Sequence, residues 1–225
     1  PNIIFDDRGV CNYCHQIDQL KKEYKTGTEQ GKTLLDNIVK KIKKDGESLE
    51  YDCVVGVSGG TDSSYLLHWA KENNLRPLAV HYDNTWNSTT ATQNIRKMTK
   101  CLNVDLYTHV VNNKEMDDIY KAFLMANVPA IDVPTDLALT EIMYRAASKY
   151  KVKYILEGHS FIAEGVSPTD YSYFDGKYIE SIHNIYGSMP MITYPNMKIL
   201  KFLYWVLFKR IKKIRPLWYI NYSNT

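Results

Sequence analysis

The chain has 225 residues, 44% of them hydrophobic, and a formal net charge of +3. That length suits one α/β domain with short appendages, and the apolar fraction is ample for a core. A charge of +3 is too small to argue for a nucleic-acid partner, and four cysteines in a chain this long make no disulfide framework. Nothing at the start reads as a signal peptide and no apolar run is long enough to span a bilayer. A cytoplasmic location without a transmembrane segment is therefore the expectation.

Residues 1–28 read as an N-terminal head, irregular through residue 18. It carries Cys11-x-x-Cys14-His15. C-x-x-C is the spacing of half a zinc ribbon, in which two thiolates of one knuckle meet two from another, and no second C-x-x-C exists here. The run also matches a c-type haem attachment pattern, which needs export that the sequence does not support. An exposed turn is the remaining alternative. Cys11 and Cys14 are therefore candidate zinc ligands, as a half site. Cys53, in a core strand, and Cys101, on a helix, read as inert small hydrophobes.

Residues 29–165 read as the main domain. Leu34, Leu35, Ile38, Val39 and Ile42 recur at helical spacing over 29–45, and Lys40, Lys41, Lys43 and Lys44 form a solvated face. Residues 52–57 form a short apolar, β-branched run, as a central parallel strand should. A Gly-rich turn and a helix over 62–74 follow. Strand 76–82 ends at Asp83, a helix spans 88–102, and strand 104–110 leads to a helical region at 114–127. A helix over 135–150 precedes strand 153–157, which ends at Gly158. Alternating β and α of these lengths predicts a parallel sheet with helices on both faces. Ligands of such sheets sit beyond the C-terminal strand ends, where 58–64, 82–86 and 158–165 gather.

Residues 166–225 read as a loop-rich cover and the start of a further region. The stretch 166–197 is rich in Tyr, Ser, Pro and Gly. Apolar and basic residues over 198–216 predict a helix that docks against a part of the protein missing from this chain, with a membrane-surface helix as the alternative.

The chemistry concentrates at Val57-Ser58-Gly59-Gly60-Thr61-Asp62-Ser63-Ser64. Two glycines let the backbone wrap closely around a ligand. The hydroxyl and acidic residues then fall at a helix N-terminus, where free N–H groups and the helix dipole favour an anion. The stretch reads as a phosphate cradle. A Walker A loop would place Lys after its last Gly, and the dinucleotide fingerprint G-x-G-x-x-G does not fit. The run S-G-G-x-D-S resembles the pyrophosphate loop of the ATP pyrophosphatases, a superfamily that includes NAD synthetase, asparagine synthetase, GMP synthetase and the tRNA thiolases. The resemblance implies an adenine nucleotide alpha hydrolase-like fold and cleavage of ATP between the α and β phosphates.

Around this loop, Asp83 is placed to accept from a ribose hydroxyl or merely to end a strand. Asp62 could hold a magnesium ion, since hard cations want carboxylate oxygens, or could serve the helix dipole. Glu164 is a second magnesium candidate or an exposed loop acid. His81 and His159 flank the same rim, as scaffold or as acid–base groups. His68 and His109 read as packing residues. Asp62, Ser63 and His159 are the catalytic candidates. Val57 through Ser64 with His81, Asp83 and Gly158 are the candidates for ATP binding.

A finer resemblance rests on five segments: Phe5-Asp6-Asp7-x-Gly9-Val10-Cys11-Asn12-Tyr13-Cys14, Gly56 to Ser64, His81-Tyr82-Asp83-Asn84-Thr85-Trp86-Asn87, Asp132-Val133-Pro134-Thr135-Asp136, and Glu157-Gly158-His159-Ser160-Phe161-x-x-Glu164-Gly165. Together they are similar to the N-acetyl sugar amidotransferases of bacterial surface-polysaccharide (lipopolysaccharide) and nonulosonic-acid biosynthesis. The resemblance implies that ATP, with Mg2+, adenylates the N-acetyl oxygen of a sugar or nucleotide sugar. Ammonia from a partner glutaminase then yields an acetamidino group. It also implies a further cysteine pair upstream and a longer C-terminal region, so that the chain reads as cut at both ends, with zinc binding and activity of this piece open. An ATP-dependent tRNA thiolase and a non-catalytic nucleotide-binding fragment are the alternatives. The thiolase would want cysteines near the ATP site and a basic face.

Overall fold

A computed structural model describes residues 3–166 and 175–222. The section of the expected cover at 167–174 lies outside the described residues. Five strands form one parallel sheet in the order β3-β2-β1-β4-β5, with β1 at Cys53–Gly56, β2 at Pro77–Asp83, β3 at Leu106–Val110, β4 at Tyr154–Leu156 and β5 at Lys212–Ile214. Gly56 pairs with Val80 on one side of β1 and Val55 with Leu156 on the other. The helices are α1 (Asn12–Tyr24), α2 (Glu29–Gly46), α3 (Thr61–Glu72), α4 (Thr89–Leu102), α5 (Asn113–Met125), α6 (Val133–Lys149), α7 (Gly176–Tyr186) and α8 (Ile199–Leu203).

Strand alternation divides the core into two layers. Cys53, Val55 and Val57 point to one face and pack with Val39 and Ile42 of α2, Leu66, Leu67 and Ala70 of α3, and Ile95 of α4. Val54, Leu78, Val80 and Ile155 point to the other face, against Ile119 and Phe123 of α5, Ile142 and Met143 of α6, and Ile179 of α7. Each fully buried Leu, Ile or Val stabilises by about 1.5–3 kcal/mol relative to exposure. The central strands are therefore anchored from both sides.

The entry to β1 is fixed before the strand begins. Asp52 is buried, and its carboxylate accepts from the Arg76 backbone N–H at 2.7 Å and from Arg76 Nη2 at 2.7 Å. The same guanidinium donates to the carbonyls of Gly46 and Leu49. One side chain thus ties the end of α2 to the start of β1 and to the turn before β2.

Three regions depart from expectation. The head is not irregular throughout: it winds into α1, whose N-cap is Cys11, the thiol accepting from the Cys14 N–H at 3.4 Å. The 198–216 stretch supplies a strand as well as a helix. The chain passes through α8 and a π-helical turn at Tyr204–Phe208, then β5 extends the sheet beside β4. Its β-branched residues are few, and only pairing with β4 selects the extended form. Finally, α7 falls inside the expected cover. Two buried carboxylates of α5 hold the segment after it. Asp118 accepts from the Ser188 and Met189 N–H groups and from His183, and Glu115 accepts from the Thr193 and Tyr194 N–H groups.

One side chain read as an inert small hydrophobe and one read as a packing residue lie at the surface. Cys101 and His68 are exposed, because each falls on the solvent side of its helix. His109 is half-buried and stacks on Tyr82 with 6.3 Å between ring centroids. Among the described residues, no helix is long and apolar enough to cross a membrane.

Candidate functional site

The sheet order changes direction between β1 and β4. In an open parallel sheet the loops leaving two such strands diverge to opposite faces and leave a crevice at their carboxyl ends. A cleft of about 620 Å3 lies there. Its walls are the Ser58–Ser63 loop, the Glu157–His159 turn with Glu164, the α6 residues Asp136, Leu139, Thr140 and Met143, and Arg215.

The loop geometry follows from two glycines in different roles. Gly59 has φ of +79°, and a Cβ placed there would lie 2.4 Å from the Ala91 carbonyl oxygen. Only glycine permits both the left-handed backbone and this approach to α4. Gly60 is the N-cap of α3 with ordinary extended angles, and no side chain caps the helix. The first-turn N–H groups of α3 are therefore left for an anion. Two hydroxyls shape the turn. Ser63 Oγ and Ser64 Oγ donate to the Gly60 carbonyl at 3.2 and 2.7 Å, and the Ser58 N–H donates to Ser63 Oγ at 3.3 Å. Asn94 of α4 steadies the outer side by donating to the Gly59 carbonyl.

Asp62, in the first turn of α3, is held from the far end of the chain: the Tyr222 hydroxyl donates to its Oδ1 at 2.6 Å. Tyr222 is itself buried and stacks on Tyr65 at 4.7 Å. Burial, followed by the bond to Asp62, pushes its phenol up to about 12. Glu164 lies beside Asp62. Burial raises its carboxyl above the usual range, the Asp62 carboxylate adds to the rise, and His159, 3.4 Å away, opposes it. Two crowded carboxylates beside the uncapped α3 N-terminus are a donor set whose chemistry suits Mg2+. Bound there, the ion would supply charge neutralisation of the phosphates.

The cleft is lined by Ser58, Gly60, Thr61, Asp62, Ser63, Gly158, His159 and Glu164 of the expected set. Val57 is buried beneath the loop. Gly59 and Ser64 shape the loop from outside the lining. His81 is buried under it, with Nδ1 3.0 Å from the Val57 carbonyl oxygen, so it braces β2 against the end of β1. Asp83 Oδ1 accepts from the Thr85 N–H at 2.8 Å and from Asn87 Nδ2 at 2.9 Å, closing the turn after β2. Its other oxygen has no partner among the described residues. His159 accepts at Nδ1 from Trp218 Nε1 at 3.3 Å.

Cys11 and Cys14 lie apart from this cleft, with Sγ atoms 3.4 Å apart. The Cys14 N–H lowers the Cys11 thiol, and Cys11 in turn raises Cys14. Two tetrahedral ligands of zinc would sit at about this separation, given Zn–S bonds of about 2.3 Å. No group of three or more His, Cys, Asp or Glu residues suited to a metal occurs among the described residues. The pair therefore fits half of a zinc site and does not complete one.

Sequence reasoning missed Arg215, Trp218, Tyr222, Asp136 and Thr140. Arg215, Trp218 and Tyr222 follow the expected domain, and no local motif marks them. Asp136 belongs to Asp132-Val133-Pro134-Thr135-Asp136, which offered a signal without a role.

No protein-family model matches the chain. An uncharacterized protein from Methanocaldococcus jannaschii is 29% identical over 158 residues, 70% of this chain and 53% of that protein. The chain thus spans about half the length of this curated relative. The solved U34-tRNA thiolase NcsA from Methanococcus maripaludis, with its 4Fe–4S cluster, aligns with 99% of this chain and 66% of its own at 15% identity and a TM-score of 0.46. The NH3-dependent NAD synthetase from Campylobacter jejuni aligns with 80% of this chain and 73% of its own at 12% identity and a TM-score of 0.44. For the glutamine-dependent NAD+ synthetase from Acinetobacter baumannii the shares are 57% and 25%, at 14% identity and a TM-score of 0.45.

Proposed function

We propose that the chain binds ATP at the Ser58–Ser64 loop and uses it to convert the N-acetyl group of a sugar or nucleotide sugar to an acetamidino group. The observation that carries nucleotide binding is the uncapped α3 N-terminus behind the Gly59 turn, opening beside the Asp62–Glu164 pair. The residues that favour a sugar amide over other acceptors are the five segments named above, taken together.

The chemistry balances. The amide oxygen attacks the α-phosphorus of ATP, the α–β bridging P–O bond breaks, and pyrophosphate leaves. Ammonia then adds to the activated carbon. The C–O bond breaks, AMP carries the oxygen away, and a protonated amidine remains. The α3 N–H groups and Ser63 would hold the phosphates. Asp62 and Glu164 would carry Mg2+, His159 would stand at the reacting end, and Asp83 would take the ribose. In this reading residues 29–165 bear the nucleotide, a partner glutaminase delivers ammonia, Cys11 and Cys14 give half of a zinc knuckle, and the reaction takes place in the cytoplasm during surface-glycan synthesis.

The test supplies the protein with ATP, Mg2+, a nucleotide-linked N-acetyl sugar and high ammonium. AMP and pyrophosphate should appear in equal amounts, and the sugar should lose about one mass unit and gain positive charge. Glutamine should replace ammonium only when a glutaminase is added. Formation of ADP and phosphate, or pyrophosphate release triggered by tRNA instead of sugar, would overturn the reading.

A further inference from the structure

The cleft has an unusual charge pattern for a site that takes an anion. Four carboxylates line it, Asp62, Asp136, Glu157 and Glu164, against one Lys or Arg among the described lining residues, Arg215. Apart from the loop amides and any bridging cation, Arg215 is where an oxyanion finds a fixed positive charge.

Arg215 directly follows β5. Its Nε donates to Glu157 Oε2 at 3.1 Å. Its guanidinium carbon lies 4.7 Å from the centre of the Trp218 ring. These two contacts fix the plane of the guanidinium. Neither Nη group has a hydrogen-bond partner among the described residues, and the side chain is 43% exposed. Glu157 does not neutralise Arg215, because Lys213 pairs with the other oxygen, Oε1, at 2.5 Å. Both cations lower the Glu157 carboxyl against the effect of its burial. Two cations around one carboxylate leave a unit of positive charge at the cleft wall. The two unpaired Nη groups form a fork that matches the spacing of phosphate oxygens.

We propose that Arg215 is an oxyanion clamp that takes a phosphate group of the cleft's ligand through its two Nη groups, with Glu157 and Trp218 as its positioning residues. The proposal rests on reading the cleft as a nucleotide site. Two sources share the chemistry: the β and γ phosphates of the nucleotide, and a phosphate of the acceptor.

The test measures calorimetric binding of inorganic pyrophosphate, AMP, Mg-ATP and N-acetylglucosamine 1-phosphate to the wild type, Arg215→Gln and Arg215→Lys. Arg215→Gln should weaken its oxyanion by about tenfold to a hundredfold, the weight of a hydrogen bond to a charged group, and leave AMP unchanged. A loss confined to pyrophosphate and ATP assigns the clamp to the nucleotide, and a loss confined to the sugar phosphate assigns it to the acceptor. Arg215→Lys keeps the charge but not the fork or the stacking, so it should also lose several-fold. It decides the matter if the Gln variant does not fold. Unchanged affinities in the folded variants, or a parallel loss of AMP, would overturn the proposal while leaving the nucleotide reading intact. A wild type that binds no phosphate ligand at all would overturn both.

Discussion

Replacing Gly59 with Ala tests how the cradle is built, and the structure sets its cost. The residue sits at φ +79°, in the left-handed region. An L side chain there costs about 1–2 kcal/mol. The new Cβ would also lie 2.4, 2.8 and 2.9 Å from the carbonyl oxygen, Cα and carbonyl carbon of Ala91. These are backbone atoms and cannot rotate away, so α4 or the loop must shift, at a further cost of about 1–3 kcal/mol by the scale of overpacked cores. The sum is about 2–5 kcal/mol. Gly60 is the internal control. Its φ is −82°, and a Cβ there would meet only Ser58 Oγ at 3.4 Å. Gly60→Ala should cost no more than the loss of a tolerable N-cap, about 0.5–1 kcal/mol. Urea unfolding of the three proteins reads the difference. With a slope near 3 kcal/mol/M, Gly59→Ala should lower the midpoint by roughly 1 M, several times the effect at Gly60. Pyrophosphate binding should fall with it, because the shifted loop no longer aims the α3 amides. A Gly59→Ala protein within about 0.5 kcal/mol of the wild type, or a larger cost at Gly60 than at Gly59, would refute this reasoning.

Three further outcomes are expected. Tyr222→Phe removes the 2.6 Å bond to Asp62 but keeps the ring on Tyr65, so the fold should hold. The Mg2+ needed for ATP binding should rise about tenfold, the usual weight of a lost outer partner to a metal ligand, with Mg-free binding unchanged. An unchanged Mg2+ titration would remove Tyr222 from the site. Asp62→Asn should weaken Mg2+-dependent pyrophosphate binding without unfolding the chain, and equal binding by both proteins at every Mg2+ level would exclude the metal role. Asp118 is held down to about 2 by bonds from Ser188, Met189 and His183 that outweigh its burial. A depressed carboxyl stabilises the fold above its unfolded pKa and loses that contribution on acidification. Stability should therefore fall as pH drops below about 4 toward about 2, and Asp118→Asn should flatten that part of the curve. An Asp118→Asn curve parallel to the wild type through this window would dismiss the contribution.

The glycine turn at the start of α3 and the alternation of strand and helix were legible in the sequence because they are local. Val54 and Val55 mark a strand covered on both faces, and Gly59, Gly60 and the residues after them fix the turn and helix start from within one short run. Asp62 and Glu164 could be named together as magnesium candidates on loops at the strand ends, but not as side chains in direct contact. Their contact depends on β4 lying beside β1, which only sheet order decides. β5 was hidden for the same kind of reason. Lys212, Lys213 and Ile214 carry little strand preference of their own, and parallel pairing alongside Tyr154, Ile155 and Leu156 selects the extended form. The addition of β5 carries Arg215, Trp218 and Tyr222 across the cleft mouth. Residues 160 positions apart, Tyr222 and Asp62, then share a hydrogen bond. No spacing rule encodes such a pair, because its partners meet only after the sheet has closed and the chain has crossed it. The Gly59 turn and the start of α3 are fixed within one short run of residues, whereas the side chains around them are set by how distant segments pack.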